Sequence, residues 1–417
     1  MHAVSNDQWV SGFEDSLRQQ GYERKTRQRA LATCRRFLAF LTQHEIPLER
    51  VTPAILDAYL TEQLCLYQQR HQRLPDGVNP WRHRFNHGLT GFLRYTLGQW
   101  PPKSLPASER DALCECIGDG YGQWLADVRG LSPQTIAGLH AEAQRFLRWL
   151  TRSQPVLPLH DLSVAQLDAW LTYRLADKRR STKAQLVYAF RGFLRWLHHQ
   201  GLVARDLAAA VTAPSLYALE NLPCALRSED IDRVLAQTQQ DQTARGLRDF
   251  AMLTLLATYG LRAGEIVHLR LDDVDWRGER LFIRHTKTGK ETVLPLLAPA
   301  GEALLAYLRQ ARPQTSAREL FLRIKAPCQP FRDGSSLHTL VTRRLQQAGI
   351  APHGKHGPHA FRHARALSLL RADVPLKTIG DILGHQAPQS TTAYLRLAID
   401  DLRTVALDVP VTPEVQP

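Results

Sequence analysis

The sequence is poor in the features that would name a class at once: cysteine, long apolar runs and acidic excess. Its six cysteines (Cys34, Cys65, Cys114, Cys116, Cys224, Cys328) are scattered over 417 residues. Only Cys114 and Cys116 lie close together, and no second pair stands at zinc-finger spacing. This excludes a disulfide scaffold; reduced, mostly buried thiols in a cytosolic protein are expected. The longest apolar stretch, residues 250–261, is too short to span a bilayer. The opening MHAVSNDQWVSGFED has no basic segment followed by an apolar run, so no signal peptide is expected. Acidic residues number 40 against 53 Lys plus Arg, giving a net charge of +13 and a pI near 9.7. That imbalance favours a polyanionic partner, with nucleic acid foremost. The rest is ordinary for a globular chain, 44% hydrophobic and 22% charged, and long enough for two or three domains.

The first half contains an internal repeat. RRFLAFL at residues 35–41 returns as QRFLRWL at 144–150. VTPAILDAYL at 51–60 returns as LSVAQLDAWL at 162–171, and GFLRYTL at 91–97 as RGFLRWL at 191–197. The matches keep their order, and each carries aromatic and leucine residues at helical spacing. Two copies of a small all-helical domain are predicted, over about residues 5–98 and 112–212. WPPKSLP at 100–106 separates them, because clustered prolines end helices.

A second break falls at residues 213–223. Beyond it, Ser228 followed by Glu229 and Asp230 reads as a helix N-cap with acids at the positive end of the dipole. Residues 248–259 read as an apolar helix stopped by Gly260. Strands are expected at 281–285 and 292–296 around a turn, then helices to about residue 407 and a proline-rich tail. The domains predicted are 1–105, 106–215 and 222–408, with a flexible tail at 409–417.

Five short segments of this last region carry candidate chemistry. ATYGLRAGE holds Arg262, and HTKTGKE holds Lys287 and Lys290. HAFRH places His359 and Arg362 on one helix face. ILGHQ holds His385, and TTAYLR holds Tyr394. Singly each has a bland reading: a surface arginine paired with Glu265, a solvated turn, a half-buried core tyrosine. Two guanidinium groups can grip a phosphate without a metal ion, because each donates paired hydrogen bonds and stays charged. A phenol is a competent covalent nucleophile once nearby cations favour its phenolate.

The ordered series Arg, Lys, His-x-x-Arg, His, Tyr resembles the active-site signature of the tyrosine recombinases and phage-type integrases. The resemblance covers about residues 225–405 and extends to the second helical copy, which looks like the family's core-binding domain. It includes G-L-R-x-G-E, K-T-G-K before V-L-P-L, and L-G-H with tyrosine nine residues after the histidine. It implies a mainly α fold: tandem SAM-like helical domains followed by a mostly helical catalytic domain with a small β-sheet. It implies that Arg262 and Arg362 hold the scissile phosphate and that Tyr394 attacks phosphorus. His359 then acts as the base toward Tyr394, His385 donates to the phosphate, and Lys287 protonates the departing 5′-oxygen. Lys287 is preferred to Lys290 because it precedes Thr-Gly as in the family. His363, common beside the arginine, is left out of the site as structural.

The implied intermediate is a 3′-phosphotyrosyl link, with strand exchange through a four-way junction and no metal, ATP or other cofactor. The implied partner is double-stranded DNA at specific sites, in a homo- or hetero-tetramer, with accessory or sister recombinases and no membrane. A cytoplasmic, bacterial, nucleoid-associated setting follows, serving integration, excision or transposition of a mobile element. The segment 395–407 partly fits an amphipathic helix of the kind that docks on a neighbouring protomer in the family.

Basic stretches follow the second matched block in both copies, at 68–85 and 177–185. They offer Arg82 and Arg84 in the first, and Arg179, Arg180 and Lys183 in the second, as phosphate contacts. The first copy either grips flanking DNA or meets another subunit. Three rival readings remain. A type IB topoisomerase uses the same residue types. A catalytically silent DNA-binding protein would keep the surfaces without the reaction. A metallohydrolase could use His353, His356, His359 and His363, although glycines and a proline make 351–358 a loop.

Overall fold

The structure, a computed structural model, describes residues 6–102, 106, 108–153, 159–217, 225–285, 289–351, 357–384 and 391. Backbone contacts divide the chain into two units. One comprises residues 1–50, 58–96 and 221–417, and the other 51–57 and 97–220.

Both sequence copies fold as four consecutive helices. The first has α1 (Asn6–Gln19), α2 (Arg24–Gln43), α3 (Pro53–His71) and α4 (Val78–Leu97). The second has α5 (Glu109–Asp127), α6 (Pro133–Ser153), α7 (Val164–Leu175) and α8 (Arg180–His199). The matched blocks fall on corresponding helices, and the repeat extends to their packing. Phe37 meets Tyr59 edge-on at 5.1 Å in the first copy, and Phe146 meets Trp170 edge-on at 5.7 Å in the second. These rings and the leucines beside them are buried, which is what the helical spacing of apolar residues requires. The described cysteines, Cys34, Cys65, Cys114, Cys116 and Cys328, are free thiols. Burial pushes the Cys34 thiol up to about 12, against a small opposing pull from Arg35.

The C-terminal region is helical around a small sheet. Helices α9 (Ser228–Gln239), α10 (Ala244–Tyr259) and α11 (Ala263–Val267) come first. Strands β1 (Val274–Asp275), β2 (Arg280–Arg284) and β3 (Glu291–Pro295) form an antiparallel sheet in that order, with Leu281 opposite Leu294 and Ile283 opposite Thr292. Helices α12 (Ala298–Gln310), α13 (Ser335–Gln347), α14 (Pro358–Arg371) and α15 (Leu376–Leu383) complete the described part. Helix α10 is buried almost all round and packs against α9, α12 and α14, so it is the centre of this core. Asp249 on α10 is fully buried and receives Arg344 of α13 at 2.8 Å, together with Arg248 and Arg343.

Three details differ from the sequence expectation. Ser228 is not the cap of α9 but its first helical residue. Arg227 precedes it without a capping bond, and its guanidinium instead pairs with Asp230 at 2.9 Å. Helix α10 begins at Ala244, because Thr243 accepts the Gly246 N–H at 3.1 Å and starts it a turn earlier. The two main strands each begin one residue earlier than expected, and β1, only two residues long, carries too little pattern to be read. No helix among the described residues is long and apolar enough to cross a membrane.

Candidate active site

The site begins where α10 stops. Gly260 adopts the left-handed conformation (φ 64°), and its N–H reaches the Leu256 carbonyl at 2.9 Å. A side chain there would also meet Leu383 at 3.0 Å and Arg365 at 3.3 Å, so the turn needs glycine twice over. The chain then places Arg262 in extended conformation just before α11. Glu265, three residues on, binds it at both ends. One carboxylate oxygen accepts the Arg262 backbone N–H at 2.8 Å, and the other accepts Nη1 at 2.7 Å. Arg262 Nη2 donates to the Gly384 carbonyl at 3.1 Å. The sequence reading of an arginine paired with Glu265 is therefore correct, but the pair is not a surface one, since Glu265 is buried. Burial would raise that carboxyl. Hydrogen bonds from His285 and Arg262 outweigh it and hold the group below the usual carboxylate range.

Arg362 arrives from α14, which starts at Pro358, a residue suited to the first helical turn. Its side chain is only 3% exposed. Nη1 donates to the Gly260 carbonyl at 2.9 Å and Nη2 to the Leu383 carbonyl at 2.5 Å. The two guanidinium groups thus hold successive carbonyls at the end of α15, those of Leu383 and Gly384. Gly384 is itself left-handed (φ 63°), and a side chain on it would strike the His285 ring. A guanidinium has five N–H donors, more than the two that Arg262 uses in these contacts.

His359 lies one turn before Arg362 and is exposed, while the His363 ring, 6.3 Å away, is half-buried. Burial, with His359 and Arg362 adding to it, pushes His363 down to about 4, so it is neutral at pH 7. A neutral imidazole beside a buried arginine fits the structural role expected of it. Lys287, His385 and Tyr394 lie outside the described residues, as do His353 and His356 of the metal reading and the segment 395–407. Among the described residues, no group of three His, Cys, Asp or Glu side chains is placed to hold a metal ion. Lys290 is exposed, and its carbonyl accepts the His285 N–H at 2.9 Å, continuing the β2–β3 ladder.

Sequence reasoning missed His285. It is 2% exposed and bonded on both ring nitrogens, to Glu265 at 2.7 Å and to Thr292 at 2.8 Å. A histidine at the inner end of a strand before a lysine turn gives no periodic signal. Only contacts across the fold reveal it.

The expected DNA contacts sit around helix starts. Arg179 precedes α8 without a side-chain cap, Arg180 is its first residue, and Lys183 lies in its first turn. Arg179 and Arg180 are exposed, and Arg180 lies 5.0 Å over the Tyr217 ring. In the first copy Arg84 is exposed, whereas Arg82 turns inward to the Thr61 hydroxyl at 2.9 Å. A second cationic surface escaped the sequence reading. Arg145, Arg148 and Arg152 follow one face of α6, and with Arg174 and Lys178 they line a groove of about 510 Å³ floored by Trp149 and Trp170. Their spacing of three and four residues was a legible signal. Glu142 takes Arg174 in a two-bond pair at 2.8 and 3.0 Å and tempers that charge.

Comparison with known proteins agrees with this geometry. Residues 225–400 match the family model described as the phage integrase family. A putative integrase/recombinase of Sinorhizobium fredii is 54% identical over 191 residues, covering 46% of this chain and 98% of its own length. The tyrosine recombinase XerC of Rhodospirillum centenum is 32% identical over 295 residues, covering 68% of this chain and 84% of the relative. The XerH site-specific recombinase bound to palindromic difH substrate superposes with a TM-score of 0.56 at 16% identity, over 75% of this chain and 92% of that one. That last likeness is one of fold, whereas the identities of the two relatives carry kinship. A turn built to present Arg262, a helix that buries Arg362 beside it and relatives this close lead to one conclusion: the chain belongs to the phage integrase family, that of the tyrosine recombinases.

Proposed function

We propose that the chain cuts and rejoins duplex DNA at specific sites, with Arg262 and Arg362 as the clamp on the scissile phosphate. The observation that carries this is the convergence of both guanidinium groups on the successive carbonyls of Leu383 and Gly384, directly before His385 in sequence. Preorganised charge of this kind lowers the barrier most where negative charge grows on phosphate oxygens. Tyr394 Oη attacks phosphorus while the P–O5′ bond breaks. The phenol proton passes to His359, and Lys287 gives a proton to the leaving 5′-oxygen. The products are a 3′-phosphotyrosyl bond and a free 5′-hydroxyl. A 5′-hydroxyl from a second duplex then reverses the step, so the number of phosphoester bonds is conserved and nothing need be hydrolysed. His385 donates to a non-bridging oxygen.

The exposed Arg179 and Arg180 of the second copy, with the half-buried Lys183, supply sequence-independent grip on the backbone. Arg84 does the same for the first copy. Arg82 contributes less, since its guanidinium is already engaged with Thr61. The division into 1–105, 106–215 and 222–408 assigns flanking contacts, core contacts and chemistry in turn. We assign the acting form as a tetramer on two duplexes, in the transfer of a mobile element.

The test works without a defined target sequence. Full-length protein is incubated with fragmented DNA of its source organism, denatured, and recovered with any covalently attached strands for sequencing. Recurrent sequences joined through the 3′ side are expected, and none with Tyr394→Phe, which should still bind the recovered duplex. Failure of the unsubstituted protein to trap any strand would overturn the proposal.

A further inference from the structure

We propose that His285 is a positioning residue for Arg262, acting through both groups that hold the guanidinium. The inference rests on the reading of Arg262 as a phosphate ligand. Arg262 has two described side-chain partners, the Glu265 carboxylate and the Gly384 carbonyl. The His285 ring meets both residues. Its Nδ1 lies 2.7 Å from the same Glu265 oxygen that accepts Arg262 Nη1. Its far edge packs so closely on Gly384 that any side chain at that position would overlap it.

The direction of the bonds follows from chemistry. A carboxylate can only accept, so Nδ1 carries the proton and donates to Glu265. The other nitrogen faces the Thr292 hydroxyl at 2.8 Å, which anchors the ring to β3. One ring therefore ties strand β3, helix α11 and the end of α15 at a single point, and Arg262 hangs from the latter two. Remove the ring and Glu265 loses a donor in a buried site, while the wall beneath Gly384 opens. The carboxylate then has Arg262 as its main remaining donor and can draw the guanidinium toward itself. A displacement of about 1 Å at a phosphate ligand is enough to cost on the order of a hundredfold in rate. Because the His285 ring is 2% exposed, it acts through the groups it packs against, and two of these, Glu265 and Gly384, are the ones that hold Arg262.

The test compares full-length protein with His285→Ala, His285→Asn and Arg262→Ala on the duplex recovered by strand capture. Single-turnover formation of the covalent adduct is measured on that duplex and on one with a methylphosphonate at the scissile position. Methylphosphonate is neutral, so an arginine that neutralises phosphate loses its purpose there. His285→Ala is expected to slow adduct formation on phosphate by about ten- to a hundredfold. The gap to the unsubstituted protein should shrink to within about twofold on methylphosphonate, as it does for Arg262→Ala. His285→Asn, which keeps a donor toward Glu265, should recover most of the loss on phosphate. The ratio of the two substrates is taken within one protein preparation, so a general loss of folded protein cancels. An equal deficit of His285→Ala on both substrates, with Arg262→Ala relieved, would overturn the positioning role alone. Failure of methylphosphonate to relieve Arg262→Ala would overturn the reading of Arg262, and the inference with it.

Discussion

The two helical copies share a core and part company at the surface. Phe37 and Phe146 are both fully buried, and each meets the aromatic ring of the next helix, Tyr59 in one and Trp170 in the other. Both copies also carry a groove beside these rings, yet the walls differ. Positions held by Ala39, Gln43 and Gln63 in the first copy are Arg148, Arg152 and Arg174 in the second. The first groove is larger, about 840 Å³ against 510 Å³, and it is lined by Tyr67, Trp81 and Phe85. Helix α3 runs 19 residues where α7 stops after 12. Buried positions are pinned by close packing, so they change little after duplication. Groove walls face no such constraint, and they are where the side-chain chemistry of the two copies diverges: the second is strongly cationic, while the first is more aromatic and carries fewer cations, Arg36 and Arg70 beside Glu62.

The common core gives the largest expected effects. Phe146→Ala and Phe37→Ala should each cost about 3–5 kcal/mol of local stability, read by hydrogen exchange within the copy concerned. A cost below about 1 kcal/mol at Phe37 would mean that the first copy is not built round the same contact. Next come the groove walls. Replacing Arg145, Arg148 and Arg152 together with alanine should weaken binding of the captured duplex by about a hundredfold. The slope of log affinity against log salt should fall by about 0.9 for each phosphate left without its arginine. Arg36→Ala, at the matched position of Arg145, should change affinity by no more than about threefold, because its groove adds only Arg70, offset by Glu62. Equal losses from both copies would break the contrast.

These expectations mark what was legible in the sequence. The repeat could be read because a four-helix copy must bury one stripe per helix, and the stripe shows as spaced Phe, Trp and Leu. Gly260 could be read as a helix stop because left-handed helix ends select glycine; Gly384 ends its helix in the same way but stood in the sequence only as part of L-G-H. Arg262 and Arg362 were found through their neighbours in the chain, but what holds them was not. Glu265 was read as a surface partner, and His285 was passed over. The Arg262–Glu265 pair is local, three residues apart, but the bonds from His285 to Glu265 and from Arg262 to Gly384 join residues 20 and 122 apart, a distance at which local pattern carries no information. The α9 start failed for a simpler reason. Ser228 has the right chemistry for a cap, but the Arg227–Asp230 pair lets the helix begin at the serine itself.

The contrast sharpens further with pH. Among the described residues, both copies bury Gln144 as their one polar side chain, whereas the C-terminal region buries Asp249, Glu265, Asp273 and His285. His363 there titrates near 4 against an ordinary 6.5, and Glu265 also lies below its ordinary range. Between these limits the unfolded chain binds more protons than the folded one. Stability of the C-terminal region therefore falls as pH drops from about 6.5 toward 4. Amide exchange in α14 should accelerate over that window before exchange in α6 or α2 does, and His363→Gln should flatten the dependence. Uniform acid sensitivity along the chain would contradict the assignment.

The smallest difference lies at the start of the third helix of each copy. In the second, Ser163 and Gln166 form a reciprocal capping box. The serine hydroxyl accepts the Gln166 N–H at 3.4 Å, and the glutamine oxygen accepts the Ser163 N–H at 2.9 Å. In the first, Thr52 accepts the Ile55 N–H at 3.4 Å, but isoleucine has no group to return the bond. Pro53 at the next position has no N–H to satisfy in any case. Ser163→Ala should therefore cost about 1 kcal/mol, while Thr52→Ala should cost roughly half as much. Ile55→Gln should add a few tenths of a kcal/mol to the first copy by completing its box. If Thr52→Ala proves as costly as Ser163→Ala, the longer α3 depends on its cap as much as α7 does. The seven additional residues of α3 would then have added no independent hold on that helix.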